Sequence, residues 1–519
     1  MENTRKYPVG IQTFSRIRKE NYLYIDKTDL MWKMTKLSPY IFLSRPRRFG
    51  KSLLTTTLDS YFKGQKELFE GLKIMDLEQE WKAYPVLFLD LNAGKYDTKE
   101  SLDERLGHNL TLWENAYQVE AETYQSVATR FENVIRAAHE RTGERVVILV
   151  DEYDKPLLQA IDNELLQNDF RNTLKSFYGN LKSCDEHIRF AMLTGVTKFS
   201  HISIFSDLNN LQDISLDDRY ADICGLTAEE IALTFGEHIE AFAKKEGTDN
   251  NTVMEQMKEM YDGYHFSEGM TKDMYNPFSV LNALSEQKFR NYWFSSGTPT
   301  FLIKLLQNGS YRLQDFTQGD IVASDLSGKE SLMNEPIALF YQTGYLTIKG
   351  YNKEFGSYRL GFPNTEVERG FARFMAIYYH GGYGSGSFNI RKFVEAVRNG
   401  DAEQFMALLQ AFFADGDYQL IGKLEVYFQN SLLMLFKLMG FYVQVERHTS
   451  KGRMDVTIQT KDYVYILELK VDKSAAEALH QIEEKQYAAP FATDSRKLFN
   501  IGVCFSSEER GIKEWIVKG

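Results

Sequence analysis

An eight-residue segment near the N-terminus, RPRRFGKS (45–52), contains the residue types that bind nucleotide phosphates. A phosphate-binding loop combines the backbone N–H groups of a helix N-terminus with a lysine for the β and γ phosphates and a hydroxyl for Mg²⁺. Gly50, Lys51 and Ser52 stand where this pattern requires them, whereas Arg45 replaces its first glycine. The segment therefore predicts a site for ATP and Mg²⁺, with a basic surface turn as the alternative.

Two acids at the end of an apolar run could complete this chemistry. The run VVILV (146–150) leads directly into Asp151, which could hold the Mg²⁺ shell, and Glu152, which could polarise the attacking water. A later apolar run reaches Thr194, whose hydroxyl could sense the γ-phosphate or orient water. The alternatives are a buried strand that runs into an acidic turn and a hydroxyl that caps a strand end. The correct order of the first two motifs favours a nucleotide site.

The loop is also strongly basic. Arg45, Arg47, Arg48 and Lys51 form one cationic cluster, and Arg48 is a candidate phosphate ligand. All three guanidinium groups could add phosphate contacts or serve a neighbouring site, and solvated surface arginines are the default interpretation.

Near the C-terminus, the segment GRMDVTIQTKDYVYILELK (452–470) carries a second set of candidate catalytic residues. Side chains two apart on a strand share one face, so Glu468 and Lys470 would meet at one site, and a hairpin that turns near 461–462 would bring Asp455 opposite Glu468. Two carboxylates can hold Mg²⁺ or Mn²⁺, and a lysine can help a water attack a phosphodiester. The alternative is a half-exposed hairpin with a salt bridge worth about 1 kcal/mol or less.

The first set of residues requires a parallel sheet to position it. Apolar runs separated by long helical stretches predict strands at 40–44, 86–91, 145–152 and 188–196, and a helix at 53–64 directly after the basic loop. Alternating strands and helices imply a parallel sheet covered on both faces, which is a P-loop NTPase-like α/β fold.

A mostly helical middle region is predicted from about residue 226. The segment 227–247 starts with a capping box of Thr227 and Glu230. Two runs within 337–364, YLTIKGY and SYRLGF, could pair as a hairpin, which leaves a winged-helix-like unit open.

The C-terminal region is predicted to be an α/β domain. Helices are expected within 388–439, three strands within 441–471, a helix from Ala475 to about Tyr487 and a strand at 498–506. The Gly- and Ser-rich segment GGYGSGS (381–387) is the predicted linker. The predicted domains of this multidomain protein are 1–225, 226–380 and 388–519.

Composition limits the function classes. The 519 residues are 43% hydrophobic and carry a net charge of −11, which argues against a disordered chain and against one that coats nucleic acid non-specifically. The three cysteines form no disulfide framework or zinc motif, and no run of about 18 apolar residues occurs. We therefore expect a cytoplasmic protein without a membrane partner, and leave homo-oligomerisation open.

Three motifs resemble the bacterial AAA-ATPase-like family: SRPRRFGKSLL, ILVDEYDKPL and LTGVTKFSHISIFSDLNNLQDIS. The resemblance covers roughly residues 6 to 225, and in that family an arginine-bearing loop is normal. It implies that the family's loop lysine and serine correspond to Lys51 and Ser52, and its two strand-end acids to Asp151 and Glu152.

The C-terminal segment resembles the PD-(D/E)XK nuclease superfamily over roughly 400 to 510, which implies a restriction-endonuclease-like α/β fold. The resemblance implies metal-ligand roles for Asp455 and Glu468, and a departure is that Met454 replaces the proline of the motif. The helix after the lysine would supply Gln481, which could contact metal-bound water or the nucleic-acid backbone, and Tyr487. Glu425 on the leading helix is a candidate additional acid, with a solvated helix acid as the alternative.

These features predict an ATP-binding and ATP-hydrolysing protein whose nucleotide state governs a Mg²⁺-dependent nuclease that acts on DNA or RNA. The rival hypothesis is a nucleotide-switched binding or regulatory protein with a non-cleaving nuclease-like domain. A structural protein with neither activity is the third interpretation. Nothing in the spacing selects an arginine finger among Arg219 and the loop arginines.

Overall fold

A computed structural model describes most of the chain, as two compact units. It describes residues 5–120, 125–198, 210–296, 320–322, 326, 336–379, 389–414, 424–440, 444–450, 453–509 and 511–519. One unit combines Met1–Phe301 with Phe316–Val367, and the other combines Leu302–Asp315 with Glu368–Gly519. The predicted three-domain division stays a prediction, and the predicted linker 381–387 lies outside the described residues.

The first unit starts with an alternation of helices and strands. Its described elements up to residue 213 are α1 (Phe14–Lys19), α2 (Thr28–Leu37), β1 (Tyr40–Ser44), α3 (Lys51–Phe62), β2 (Val86–Asp90), α4 (Lys99–Tyr117), α5 (Val127–Thr142), β3 (Val146–Asp151), α6 (Lys155–Gln159), α7 (Glu164–Ser183), β4 (Ile188–Gly195) and β5 (Gln212–Asp213). Short 3₁₀ helices occupy Lys66–Phe69, Lys73–Asp76, Asp185–His187 and Asp218–Tyr220.

These strands form one parallel sheet in the order β2-β3-β4-β1-β5. Every residue of β3 is buried, as expected for a parallel strand with both faces covered. The predicted P-loop NTPase-like sheet is therefore confirmed, with its four predicted strands in place. Because the strands are parallel, the residues that follow β1, β3 and β4 meet at the same edge of the sheet.

The rest of the first unit is mainly helical, as predicted. Its described elements are α8 (Ala228–Glu246), α9 (Asn250–Tyr261), α10 (Pro277–Glu286), α11 (Tyr292–Ser295), β6 (Asp320–Val322), α12 (Pro336–Gln342), β7 (Thr347–Asn352), β8 (Ser357–Gly361) and the start of α13 (Thr365–Tyr379), a helix that continues into the second unit. The predicted capping box of Thr227 and Glu230 is present at α8. The predicted hairpin is β7–β8, with β6 as a third antiparallel strand beside β8.

The second unit consists of helices and a mixed β-sheet. Its remaining described elements are α14 (Ile390–Arg398), α15 (Ala402–Ala414), α16 (Leu424–Gly440), β9 (Gln444–Ser450), β10 (Arg453–Gln459), β11 (Tyr463–Val471), α17 (Ala475–Glu484), the 3₁₀ turn Ala489–Phe491, β12 (Lys497–Ser506) and β13 (Gly511–Lys518). The sheet order is β13-β12-β11-β10-β9, and β11 and β12 are its one parallel pair. Aromatic and aliphatic side chains of α14, α15 and the sheet form a common core.

One buried carboxylate, that of Glu366, affects the stability of the first unit. Glu366, on the first turn of α13, is 1% exposed; it accepts hydrogen bonds from the Ser279 hydroxyl (2.7 Å) and the Trp293 backbone N–H (2.7 Å). Burial raises the pKa of Glu366 from its ordinary 4.5 to about 7, although these two donors oppose the shift. Glu366 thus links α10, α11 and α13 by hydrogen bonds. Its carboxylate is poorly hydrated in this position, which opposes ionisation.

The described part of the chain contains no helix that combines the length and the apolar character needed to cross a bilayer. Cys184, Cys224 and Cys504 are buried and free.

Glu366→Gln should stabilise the first unit at alkaline pH. Because the folded-state pKa is raised, folding is favoured at low pH, and this stabilisation is lost as the pH rises from about 4.5 to about 7. The amide does not titrate, and the Ser279 hydroxyl can turn to accept from it. We expect a gain of about 2 kcal/mol in unfolding free energy at pH 8 that shrinks towards pH 5, measured by chemical denaturation.

The exposed glutamate Glu255 on α9 supplies a matched control, because Glu255→Gln makes the same chemical change at a position in contact with water. A Glu366→Gln effect of equal size at every pH would contradict the assignment.

Candidate functional sites

The loop between β1 and α3 has the backbone of an anion-binding site. Gly50 is the N-cap of α3 with φ 96°, and no side chain caps this helix end. Arg48 also has a positive φ, of 68°, which is uncommon for a residue other than glycine. The first N–H groups of α3 have no carbonyl partner within the helix and are oriented to bind an anion.

Lys51 lies in the loop that it is predicted to serve. It is 3% exposed, and its ammonium donates to the backbone carbonyls of Arg45 (3.1 Å) and Pro46 (3.4 Å). Its Nζ also lies 3.5 Å from Oε1 of Glu152, the second predicted strand-end acid. The phosphate lysine and the candidate water-activating acid therefore meet at the edge of the sheet.

Asp151, the other strand-end acid, meets both predicted hydroxyl groups. The Thr194 hydroxyl donates to its Oδ1 over 2.6 Å. Burial and the Glu152 charge raise the pKa of Asp151, while hydrogen bonds from Ser52 and Thr194 and the Lys51 charge oppose the shift. A bound divalent cation would lower this pKa, because it favours the charged carboxylate. The oxygen donors of Ser52 and Asp151 fit Mg²⁺, which prefers one or two carboxylates together with substrate phosphates.

A cavity of 370 Å³ opens over this loop. Its walls include four of the predicted ligands, Arg48, Gly50, Lys51 and Ser52, together with Glu152. Pro277, Phe278 and Leu281 of α10 and the N-terminal segment Pro8–Gln12 also line it. A mainly apolar cavity of 110 Å³ adjoins it and shares Gly50, Leu53 and Leu281. A lining that combines charged and apolar groups suits a nucleotide, whose phosphates are ionic and whose base is flat and weakly polar.

The arginine that replaces the first glycine is buried, which corrects the default interpretation of Arg45 as a solvated surface group. Arg45 is 1% exposed and donates to the carbonyls of Ser44 (2.9 Å), Ser215 (2.7 Å) and Tyr220 (3.0 Å). Its guanidinium carbon lies 4.4 Å from the centroid of the Phe266 ring. Burial lowers its pKa, but a guanidinium stays protonated in proteins. Arg45 therefore ties the loop to neighbouring segments instead of binding phosphate.

Residues outside the predicted set also shape this site. Asp154 is fully buried, and its Oδ2 accepts from the N–H groups of Val196 (3.1 Å) and Thr197 (2.6 Å), so it joins the turn after β3 to the end of β4. The Trp293 indole N–H donates to the Arg47 carbonyl over 3.1 Å. Asp154 is the third acid of VDEYD, and its place beside the two predicted acids could have indicated a role at the site. Nothing near Trp293 in the sequence indicates the role of Trp293.

The second candidate site lies on the sheet of the second unit. In β10–β11 pairing, Asp455 is directly opposite Glu468, as the predicted hairpin register requires. Glu468 is fully buried, and Lys470 donates to its Oε1 (2.6 Å) and to Gln481 Oε1 (2.5 Å) on α17. The Gln481 amide in turn lies 3.4 Å from the Tyr487 hydroxyl. Three of the predicted catalytic side chains therefore form one hydrogen-bonded group.

Two predicted acids are described by backbone only, Asp455 on β10 and Glu425 on α16. Within the described residues, no three His, Cys, Asp or Glu side chains are grouped as a metal site. The backbone register pairs Asp455 with Glu468 on adjacent strands, and carboxylate residues are of the type that binds a hard cation such as Mg²⁺ or Mn²⁺.

Gly502 on β12 allows α17 to approach the sheet closely. It is the register partner of Glu468 on the neighbouring strand β11. A Cβ added at Gly502 would lie 2.2 Å from the Ala475 carbonyl oxygen and 2.7 Å from the Leu479 nitrogen. Any side chain here would push the first turns of α17, and with them Gln481, away from Lys470.

Restoring the glycine of the loop pattern should destabilise the protein. Arg45→Gly removes a guanidinium that satisfies buried carbonyls and leaves a cavity, so we expect a loss of about 3 kcal/mol in unfolding free energy. Arg219→Ala is the comparison, since that arginine is 58% exposed, and it should cost much less stability than the loss of Arg45. Equal losses for Arg45→Gly and Arg219→Ala in denaturant titrations would contradict the anchoring role.

Gly502→Ala should displace α17 and lower the stability of the second unit by about 2 kcal/mol, because the clash is with backbone atoms. Gly511→Ala is the matched control on β13, where the nearest atom to an added Cβ is 3.9 Å away. Thermal unfolding of both variants checks this, and similar melting temperatures would contradict it.

Comparisons with known proteins give one family match near each end of the chain. The family model described as predicted AAA-ATPase matches residues 8–205, and that of the PD-(D/E)XK nuclease superfamily matches 423–515. The "Uncharacterized protein in vnfD 5'region" of Azotobacter chroococcum mcd 1 is 35% identical over 527 residues, 99% of each chain.

Solved structures match at much lower levels. The Aeropyrum pernix ORC2 protein (ADPNP-ADP complexes) gives a TM-score of 0.29 at 11% identity over 66% of this chain and 93% of its own. The Aeropyrum pernix ORC1 protein in complex with DNA gives 0.26 at 10% identity over 69% of this chain and 96% of its own. The family assignment therefore depends on the sequence matches: this chain belongs to the predicted AAA-ATPase family and carries a C-terminal domain of the PD-(D/E)XK nuclease superfamily.

Proposed function

We propose that the protein binds and hydrolyses ATP and that its nucleotide state governs cleavage of DNA or RNA by the C-terminal domain. The observation that supports ATP binding and hydrolysis is the cavity whose wall combines Gly50, Lys51 and Ser52 with Glu152. An ATP molecule there would place its phosphates on the N-terminus of α3. The salt bridge between Lys51 and Glu152 would give way to a contact of Lys51 with the β and γ phosphates, which frees Glu152 to polarise water.

Metal chemistry belongs to the proposal at both sites. Bound Mg²⁺ would neutralise phosphate charge at Ser52 and Asp151, and Mg²⁺ or Mn²⁺ would do so at Asp455 and Glu468. Thr194 would hold the Asp151 carboxylate in position through its 2.6 Å hydrogen bond. Arg48 and Gly50 would contact the phosphates directly, the first by its side chain and the second by its backbone.

At the second site, the hydrogen bonds of Lys470 support a hydrolytic role. Lys470 contacts both Glu468 and Gln481, so a water bound near the two acids would lie beside a cation that can orient it. Gln481 would hold Lys470 in position or contact the nucleic-acid backbone. The partner would be a nucleic acid, and the cytoplasmic location, the bacterial origin and any homo-oligomer stay predictions.

The rival proposal is a nucleotide-switched binding protein whose nuclease-like domain does not cleave. A buried lysine–glutamate pair favours catalysis over mere binding, because a buried ion pair contributes little net stability compared with apolar side chains. The sequence and fold are otherwise compatible with both.

ATP with Mg²⁺ should raise the melting temperature of the first unit, because a ligand that binds only the folded state stabilises it by mass action. Lys51→Ala should reduce this shift strongly by removing the phosphate contact. Asp455→Ala is the control and should shift like the wild type. A wild-type protein with no shift at saturating ATP would remove the nucleotide half of the proposal.

Cleavage is tested with single- and double-stranded DNA and RNA, with Mg²⁺ or Mn²⁺, in the presence and absence of ATP. Asp455→Ala should lose cleavage by about 100-fold or more, since it removes a metal ligand. Lys51→Ala should cleave without responding to ATP. No cleavage by the wild type under any condition, together with measurable ATP binding, would select the rival proposal.

A further inference from the structure

Two arginines of the phosphate-binding loop reach the nucleotide cavity. Arg47 and Arg48 line it together with Lys51 and Glu152. Within the part of the chain that the structure describes, neither guanidinium forms an ion pair with an acid. A cation beside the phosphates that is not already paired can interact with charge that develops there during hydrolysis.

Arg48 is held in position by the ring of Phe278. Its guanidinium carbon lies 4.7 Å from the ring centroid, within the range of a cation–π contact. Phe278 is on the first turn of α10, whose N-terminus is capped by the Asn276 side chain (3.1 Å to the Ser279 N–H). The next residue, Ser279, is bonded to buried Glu366. The ring is therefore part of a well-anchored helix end.

The loop backbone around Arg48 is anchored as well. The Arg47 carbonyl accepts from Trp293, and Phe49 packs edge-on against Tyr264 (4.8 Å) and Phe266 (5.1 Å). Arg48 lies between these two fixed residues with a positive φ and an exposed side chain. Backbone strain of this kind persists only where the surroundings impose it, and it is concentrated at functional sites.

The guanidinium of the other candidate arginine, Arg219, is already paired with an acid. Its guanidinium donates to both oxygens of Asp217, from Nε to Oδ1 (2.9 Å) and from Nη2 to Oδ2 (2.5 Å). It would have to break this two-point contact before it could reach a nucleotide on a neighbouring molecule. Arg48 has no such barrier.

We propose that Arg48 is a catalytic residue that supplies, within its own chain, the positive charge that many nucleotide hydrolases receive from an arginine of a partner. This inference rests on the proposed ATP hydrolysis. The water oxygen bonds to the γ-phosphorus, its proton passes by way of Glu152 to the phosphate product, and the bond from the γ-phosphorus to the bridging oxygen breaks with its electron pair left on ADP. The Arg48 N–H groups donate to the phosphate oxygens on which charge accumulates. Phe278 is a positioning residue in this scheme.

Steady-state ATP hydrolysis by the full chain tests the proposal. The wild-type activity per molecule should stay constant over roughly a 100-fold range of protein concentration, because no second copy is required. Arg48→Ala should lower kcat by about 100-fold or more, while the affinity for a non-hydrolysable ATP analogue changes by less than about 10-fold. Arg48→Lys should not restore the rate, because an ammonium lacks the planar fork.

Chemical rescue and two further variants distinguish a catalytic role of Arg48 from a folding defect. Added guanidinium ion should restore part of the Arg48→Ala rate, which a merely misfolded variant would not show. Phe278→Leu should reduce kcat less than Arg48→Ala does and leave KM nearly unchanged. Arg219→Ala is the control and should hydrolyse ATP like the wild type.

The outcomes distinguish this inference from the proposed function. An Arg48→Ala protein with wild-type kcat, or activity per molecule that rises with concentration and disappears in Arg219→Ala, would overturn the role of Arg48 and leave ATP hydrolysis standing. A wild type that binds ATP without hydrolysing it would overturn the role of Arg48 while nucleotide binding stands. A wild type that does not bind ATP would end the proposed nucleotide function itself.

Discussion

The loop of the candidate nucleotide site depends on one buried cation. Arg45 takes the place of the glycine that usually starts a phosphate-binding loop, and its three backbone-carbonyl partners, Ser44, Ser215 and Tyr220, belong to the loop's own strand and to the segment after β5. Removing a charge from water is costly, and here carbonyl dipoles and the Phe266 ring compensate for the lost hydration. A loop held in this way does not need the flexibility that glycine provides, since its shape is set by contacts with neighbouring segments.

This anchoring gives different residues of the loop different roles. Arg45, Pro46 and Phe49 are buried and hold the loop, whereas Arg48 and Gly50 are exposed to the cavity. Lys51 is buried too, yet its ammonium lies between loop carbonyls and Glu152, where a phosphate could replace the acid. The same short segment thus supplies both rigidity and ligands, because consecutive side chains in an irregular loop point in different directions.

The nuclease-like site uses a different principle, the fixed register of a sheet. Pairing of β10 with β11 sets Asp455 opposite Glu468, and the two-residue spacing places Lys470 on the face of Glu468. The helix that completes the group depends on Gly502, which permits backbone contact between β12 and α17. Strand register is an inherent property of the local sequence pattern, but the approach of the helix depends on packing across the sheet.

The sequence by itself determined the parts of this protein whose signal is local. The four apolar strands, the helix after the loop, the capping box of α8 and the β10–β11 hairpin all follow from periodicity and turn residues, and they match the structure. Local patterns missed the two-residue strand β5, the short strand β6 and the final strand β13, since pairing with a neighbouring strand stabilises them more than their own sequence does. Only the tertiary structure decided that Arg45 is buried, that Trp293 and Phe278 hold the loop arginines, and that Asp154 joins two strand ends. The physical reason is that burial and hydrogen-bond partners at these positions come from residues far away in the chain, and no local pattern encodes which distant segment will pack against a given side chain.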